Sequence, residues 1–94
     1  METKTESKRL ILLIDDDQIN LRVLTLLLQH AGYDTMQASD GHEGFQMALE
    51  YNPDLVVLDV MMPKMSGIEV AHKLQLESAV PFMFVSSCSE KEIV

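Results

Sequence analysis

Asp54 to Gly67 reads DLVVLDVMMPKMSG, and this stretch decides the fold. Leu55 to Leu58 is a short, unbroken run of Val and Leu. That pattern suits a strand buried on both faces, as in the interior of a parallel sheet. Such a strand gains nothing from ending in a charge, yet it ends in Asp59. Ligands of open α/β sheets gather at the carboxyl ends of the strands, so Asp59 sits where chemistry is expected. Pro63 stops a ladder from continuing, Gly67 offers a turn, and IEVAHKL resumes a helical spacing.

Toward the amino end, Leu10 to Ile14 (LILLI) is a second apolar run of strand length. It stops at Asp15, Asp16 and Asp17, three adjacent carboxylates that repel one another unless a cation or solvent relieves them. Asp17 suits an N-cap for the helix that follows, with metal binding as the other use of its carboxylate. Asn20 to Ala31 has helical spacing, with Leu21, Leu24, Leu27, Leu28 and Ala31 on one face, and Gly32 stands where helices end. Tyr33 to Ala38 alternates as a half-exposed strand does. After a turn at Ser39 to Gly41, His42 to Tyr51 is expected to be a helix with Phe45, Ala48 and Leu49 inward; Asn52 and Pro53 break it.

Toward the carboxyl end, Gly67 to Glu77 is expected to be a third helix with Ile68, Ala71 and Leu74 inward. VPFMFVSS (residues 80–87) is a fourth strand that ends at Ser86 and Ser87. Ser89 would cap a further helix from Glu90, with Glu92 completing a capping box. Alternating strands and helices imply right-handed crossovers and a doubly wound, parallel α/β sheet.

Ninety-four residues bound the chain to one domain, and 47% apolar residues make it globular rather than disordered. Fifteen acids against seven bases give a net charge of −8, which disfavours direct contact with nucleic acid or an anionic membrane and suits a protein that collects a cation. Residues 1–9 are polar, of mixed charge, and read as a flexible leader. Cys88 is the single cysteine, so no internal disulfide or Cys-based zinc site follows, and a cytoplasmic setting fits. No apolar run approaches the roughly 20 residues needed to cross a bilayer. His30, His42 and His72 are scattered, and the seven Met residues suit core filling.

If the first and third strands are neighbours, Asp15, Asp16 and Asp59 converge at one sheet edge. Three carboxylates with backbone carbonyls form a hard-oxygen site suited to Mg²⁺, and a Ser86 hydroxyl on the next strand end would complete a pocket for an anion. A strand-end carboxylate there is a candidate nucleophile toward a phosphoryl group. A haloacid-dehalogenase-like phosphatase would need a second acid at the position of Met61. A flavin-binding relative of this fold order would need phosphate-cradling donors where the chain has three Asp residues. An EF-hand would need alternating acids and a Gly at the sixth position, where Asn20 stands.

LLIDDD at 12–17, DLVVLDVMMPKMSG at 54–67 and VPFMFVSS at 80–87 together resemble the receiver domain of bacterial two-component response regulators. The resemblance covers essentially the whole chain after the leader and implies a flavodoxin-like (CheY-like) three-layer sandwich over residues 10–94. It implies that Asp59 accepts a phosphoryl group from a sensor histidine kinase or phosphotransfer protein. Asp15, Asp16, Asp59 and the Met61 backbone carbonyl would hold Mg²⁺ (or Mn²⁺), and Ser86 would be the switch hydroxyl. The chain would then be a signalling switch acting on an unnamed effector rather than a metabolic enzyme. The alternative is a degenerate receiver serving as a phosphorylation-independent interaction or dimerisation module. The family continues to a fifth strand ending in Lys and a last helix, neither of which fits before Val94. The expectation is therefore a sheet incomplete at its carboxyl end, with the Ser86 strand an apolar edge that invites self-association. Lys64 and Lys91 do not stand at the place of the family's Lys.

Overall fold

A computed structural model describes residues 8–62 and 65–85. Within them the chain forms β1 (Leu10–Ile14), α1 (Gln18–His30), β2 (Asp34–Ala38), α2 (Gly41–Tyr51), β3 (Leu55–Asp59), α3 (Gly67–Glu77) and β4 (Phe82–Val85). The four strands make one parallel sheet in the order β2-β1-β3-β4. The doubly wound α/β class is therefore as the sequence implies. The expected fourth helix, with Ser89 and Glu92, lies outside the described residues.

The two sheet faces carry separate cores, and strand alternation assigns them. Leu12, Ile14, Val56 and Leu58 pack with residues of α2 and α3, including Phe45, Ala48, Val70, Ala71 and Leu74. Ile11, Leu13 and Val57 take the opposite parity and pack with Leu21 of α1, flanked by Leu24 and Leu28. This is a three-layer sandwich, with α1 on one face and α2 and α3 on the other. Both central strands are buried along nearly their whole length, which is why they read as unbroken apolar runs.

Local signals set the helix ends. Asp17 is the N-cap of α1 and accepts from the backbone N–H groups of Ile19 and Asn20. Gly32, at φ +102°, takes the chain out of α1 in the left-handed region, and the N–H of Tyr33 donates to the Leu28 carbonyl. Asp40 caps α2, so Gly41 opens that helix rather than closing the turn. Ser66 and Glu69 form a reciprocal capping box at the start of α3.

Four inward assignments need correction. Ala31, expected on the apolar face of the first helix, is its exposed C-cap. Leu27 (61% exposed), Leu49 (41%) and Ile68 (60%) lie off the buried stripes of their helices. Each sits one position, and so about 100° around the helix, from a true core residue. In α2 and α3 the buried stripe begins with glycines instead: Gly41 and Gly44, then Gly67 with Val70. A β-carbon on Gly44 would overlap the side chain of Ile14, so its absence lets α2 lie close against β1.

Candidate functional site

Strand register builds the site. Ile14 pairs with Leu58 across β1 and β3, so the next residues, Asp15 and Asp59, stand side by side beyond that pair. Both share the parity of Leu13 and Val57. Asp15 is 3% exposed and Asp59 1%, and these are the buried charged residues among those described. Asp16, one residue on, is exposed. Ligand oxygens of Asp15, Asp16 and Asp59 all lie within 4.8 Å of one another. The convergence expected of the three acids is therefore present in the fold.

The neighbouring backbone fixes this cluster. Asp15 donates its N–H to the Ala38 carbonyl (3.1 Å), which ties the end of β1 to β2. Its Oδ1 accepts from the Asp17 N–H at 2.9 Å, and its Oδ2 lies 3.5 Å from the amide nitrogen of Asn20. Asp59 Oδ1 faces the Met61 N–H at 3.4 Å. The Val60 N–H donates to the Val85 carbonyl (3.2 Å), and the Val60 carbonyl accepts from the Gly67 N–H (3.1 Å). Asp59 and Val85 are themselves register partners across β3 and β4.

Electrostatics follow from the burial. Desolvation pushes the Asp15 carboxyl up from 3.8 to about 6, and the nearby Asp59 charge pushes the same way. The hydrogen bonds from Asp17 and Asn20 oppose that rise. A carboxyl held this way beside a second buried acid is relieved when a cation joins the cluster. A set of clustered oxygen donors matches a hard divalent ion, so the residues present fit Mg²⁺.

Outside the carboxylates, an open depression of about 360 Å³ is lined by Asp16, Val60, Met61, Met62 and Ser66. Met61 occupies the loop just past Asp59 with its side chain 63% exposed, while Met62 is buried. Ser86 lies outside the described residues; Val85, immediately before it, ends β4 beside Asp59. Lys64 and Lys91 also lie outside them. Two residues of the site went unread in the sequence. Asn20 reaches Asp15 from the first turn of α1, a contact that only tertiary geometry reveals. Ser66 lines the depression and caps α3, and its Ser-x-x-Glu spacing could have been recognised. Among the described residues no helix is long and apolar enough to cross a membrane.

Comparison with known proteins agrees with this geometry. The sequence profile of the family described as "Response regulator receiver domain" matches residues 11–94. The chain is 39% identical over 82 residues to the alkaline phosphatase synthesis transcriptional regulatory protein PhoP of Bacillus subtilis, covering 86% of this chain and 34% of that protein. It is likewise 39% identical over 77 residues to the DNA-binding response regulator MtrA of Mycobacterium tuberculosis, covering 82% of this chain and 34% of that one. The chain thus spans about a third of the length of these relatives. The chemotaxis protein CheY4 of Vibrio cholerae superposes with a TM-score of 0.81 at 26% identity, covering 93% of this chain and 76% of that chain. The response regulator TrrA of Thermotoga maritima, solved in complex with Mg²⁺-BeF, superposes equally well (TM-score 0.81) at 30% identity, covering 90% and 75%. Fold, acidic cluster and sequence match converge on one assignment: this chain belongs to the response regulator receiver domain family.

Proposed function

We propose that residues 10–94 act as a phosphoacceptor switch, with Asp59 taking a phosphoryl group from the phosphohistidine of a sensor kinase or phosphotransfer protein. The observation that supports this most is the buried Asp59 with the carboxylates of Asp15 and Asp16 gathered within 4.8 Å. An Asp59 carboxylate oxygen attacks phosphorus. A P–O bond forms, the P–N bond breaks, and the imidazole leaves with the electron pair and takes a proton from solvent. Asp15, Asp16, Asp59 and the Met61 backbone carbonyl would hold Mg²⁺ or Mn²⁺. When bound, the cation supplies the positive charge that lets an anion approach three carboxylates.

The chain's own contribution is placement. The Met61 N–H faces the acceptor carboxylate, and Asp17 and Asn20 hold Asp15 turned toward it. Val85, the residue before Ser86 in the chain, pairs with Asp59 and accepts from Val60. Ser86 is read as the switch hydroxyl, biasing a two-state equilibrium of the segment it begins. The output is a changed surface offered to an effector, and the acidity of the chain disfavours nucleic acid as its direct partner.

The test is intact mass after incubation with Mg²⁺ and a small acyl-phosphate donor, with Asp59→Asn in parallel. One added phosphoryl group, absent in the variant and absent without Mg²⁺, is expected. A folded protein that gains no phosphoryl group would refute the phosphoacceptor reading and favour a module that only binds partners.

A further inference from the structure

Gly67 opens α3 at a point where the helix touches the acceptor's own backbone. It is buried. A β-carbon there would lie 2.3 Å from the Asp59 carbonyl oxygen, 3.0 Å from its carbonyl carbon and 3.1 Å from the Val60 Cα. These atoms belong to the peptide joining Asp59 to Val60, so no side-chain rotation could relieve the overlap. The same peptide is held from the other side by the Val60 N–H on the Val85 carbonyl. The Gly67 N–H then closes the loop onto the Val60 carbonyl. The Ser66–Glu69 capping box fixes the helix end that carries Gly67.

Taken together, the Asp59–Val60 peptide is clamped between β4 and the first turn of α3. The plane of that peptide sets both the direction in which the Asp59 side chain leaves the strand and the course of the chain to Met61. Resting on the phosphoacceptor reading, we infer that Gly67 is a positioning residue: its bare α-carbon, pressed on the Asp59–Val60 peptide, aims the acceptor carboxylate and the Met61 backbone at the cation. Its importance is then a matter of site geometry and not only of fitting α3 into the core.

The test separates these roles by comparing Gly67→Ala with Leu74→Ala. Leu74 is fully buried in the same helix, seven residues or about 10 Å from Gly67, so its truncation loosens α3 without touching the acceptor peptide. Mg²⁺ affinity by calorimetry and the rate of phosphoryl uptake are measured where circular dichroism shows each variant folded. Gly67→Ala is expected to weaken Mg²⁺ binding at least 10-fold and slow uptake similarly, while Leu74→Ala stays within about 2-fold of wild type. Equal losses in the two variants, or wild-type affinity in folded Gly67→Ala, would overturn the inference. If Gly67→Ala does not fold, amide exchange in the wild type decides. Mg²⁺ should slow exchange at Gly67 by more than at Leu74, which reports only the overall stabilisation, and equal slowing at the two would overturn it. A wild type that binds neither Mg²⁺ nor phosphoryl would instead overturn the underlying reading of the pocket, and this inference with it.

Discussion

Replacing Asp15 with Asn should make the metal-free protein more stable at neutral pH, against the usual expectation for a buried polar residue. The folded Asp15 carboxyl is raised to about 6 from an ordinary 3.8, so the folded state holds its proton more tightly than the unfolded chain does. Stability from this group is fully present below about pH 4 and is lost as pH rises through about 6. At about 1.4 kcal/mol for each tenfold change in proton affinity, the interval sets a ceiling of about 3 kcal/mol. Asn keeps an oxygen for the Asp17 N–H but sets one amide against another at Asn20, where the existing contact is 3.5 Å. The net gain at pH 7 is therefore expected at about 1–3 kcal/mol, or roughly 4–8 °C in Tm per kcal/mol. Urea unfolding of both proteins in a chelator at pH 4, 5, 6 and 7 checks it. Their difference removes the shared effect of the other acids. The two should be near parity at pH 4 and separate as pH rises. Mg²⁺ at pH 7 should then stabilise the wild type more than Asp15→Asn. A difference that stays flat with pH, or an Asp15→Asn protein less stable at pH 7, would refute the reasoning.

Two further predictions concern the frame. Leu58→Ala, at a fully buried position in the central strand, should lower stability by about 2–5 kcal/mol in urea unfolding. Ser66→Ala removes the cap on Glu69 and should reduce stability by about 1 kcal/mol, while α3 keeps its helical circular dichroism.

The central strands were legible in the sequence because burial on both faces leaves a continuous apolar run, and Asp59 stood out as the charge that ended one. The Asp17 cap and the Gly32 stop were readable because each rests on local backbone chemistry. Helix faces were harder. Where Gly41, Gly44 and Gly67 occupy the core stripe, hydrophobicity shows nothing, and the neighbouring Leu49 and Ile68 attract the inward assignment. The approach of Asn20 to Asp15 and the seating of Gly67 on Asp59 depend on how elements dock, which no local pattern encodes. The acids themselves were found by combining strand ends with the assumption that β1 and β3 are neighbours, and the sheet order has them so.

That adjacency has a consequence for how the chain tolerates insertions and deletions. Asp15 meets Asp59 because Ile14 pairs with Leu58, a match set by ladder hydrogen bonds rather than by any loop. Removing one residue within Leu10–Ile14 would leave two outcomes, since side chains alternate across a strand. Either the apolar residues keep their faces and Asp15 slides out of line, or the acids stay opposed and the residues before the gap are exchanged between the two cores. Length changes at Gly32–Tyr33 or Asn52–Pro53, at the far end of the sheet and before the Asp54–Leu10 hydrogen bond, leave the ladder between β1 and β3 free to keep its register. Natural or engineered length variation should therefore collect at that end, with the spacing from strand to acid held fixed.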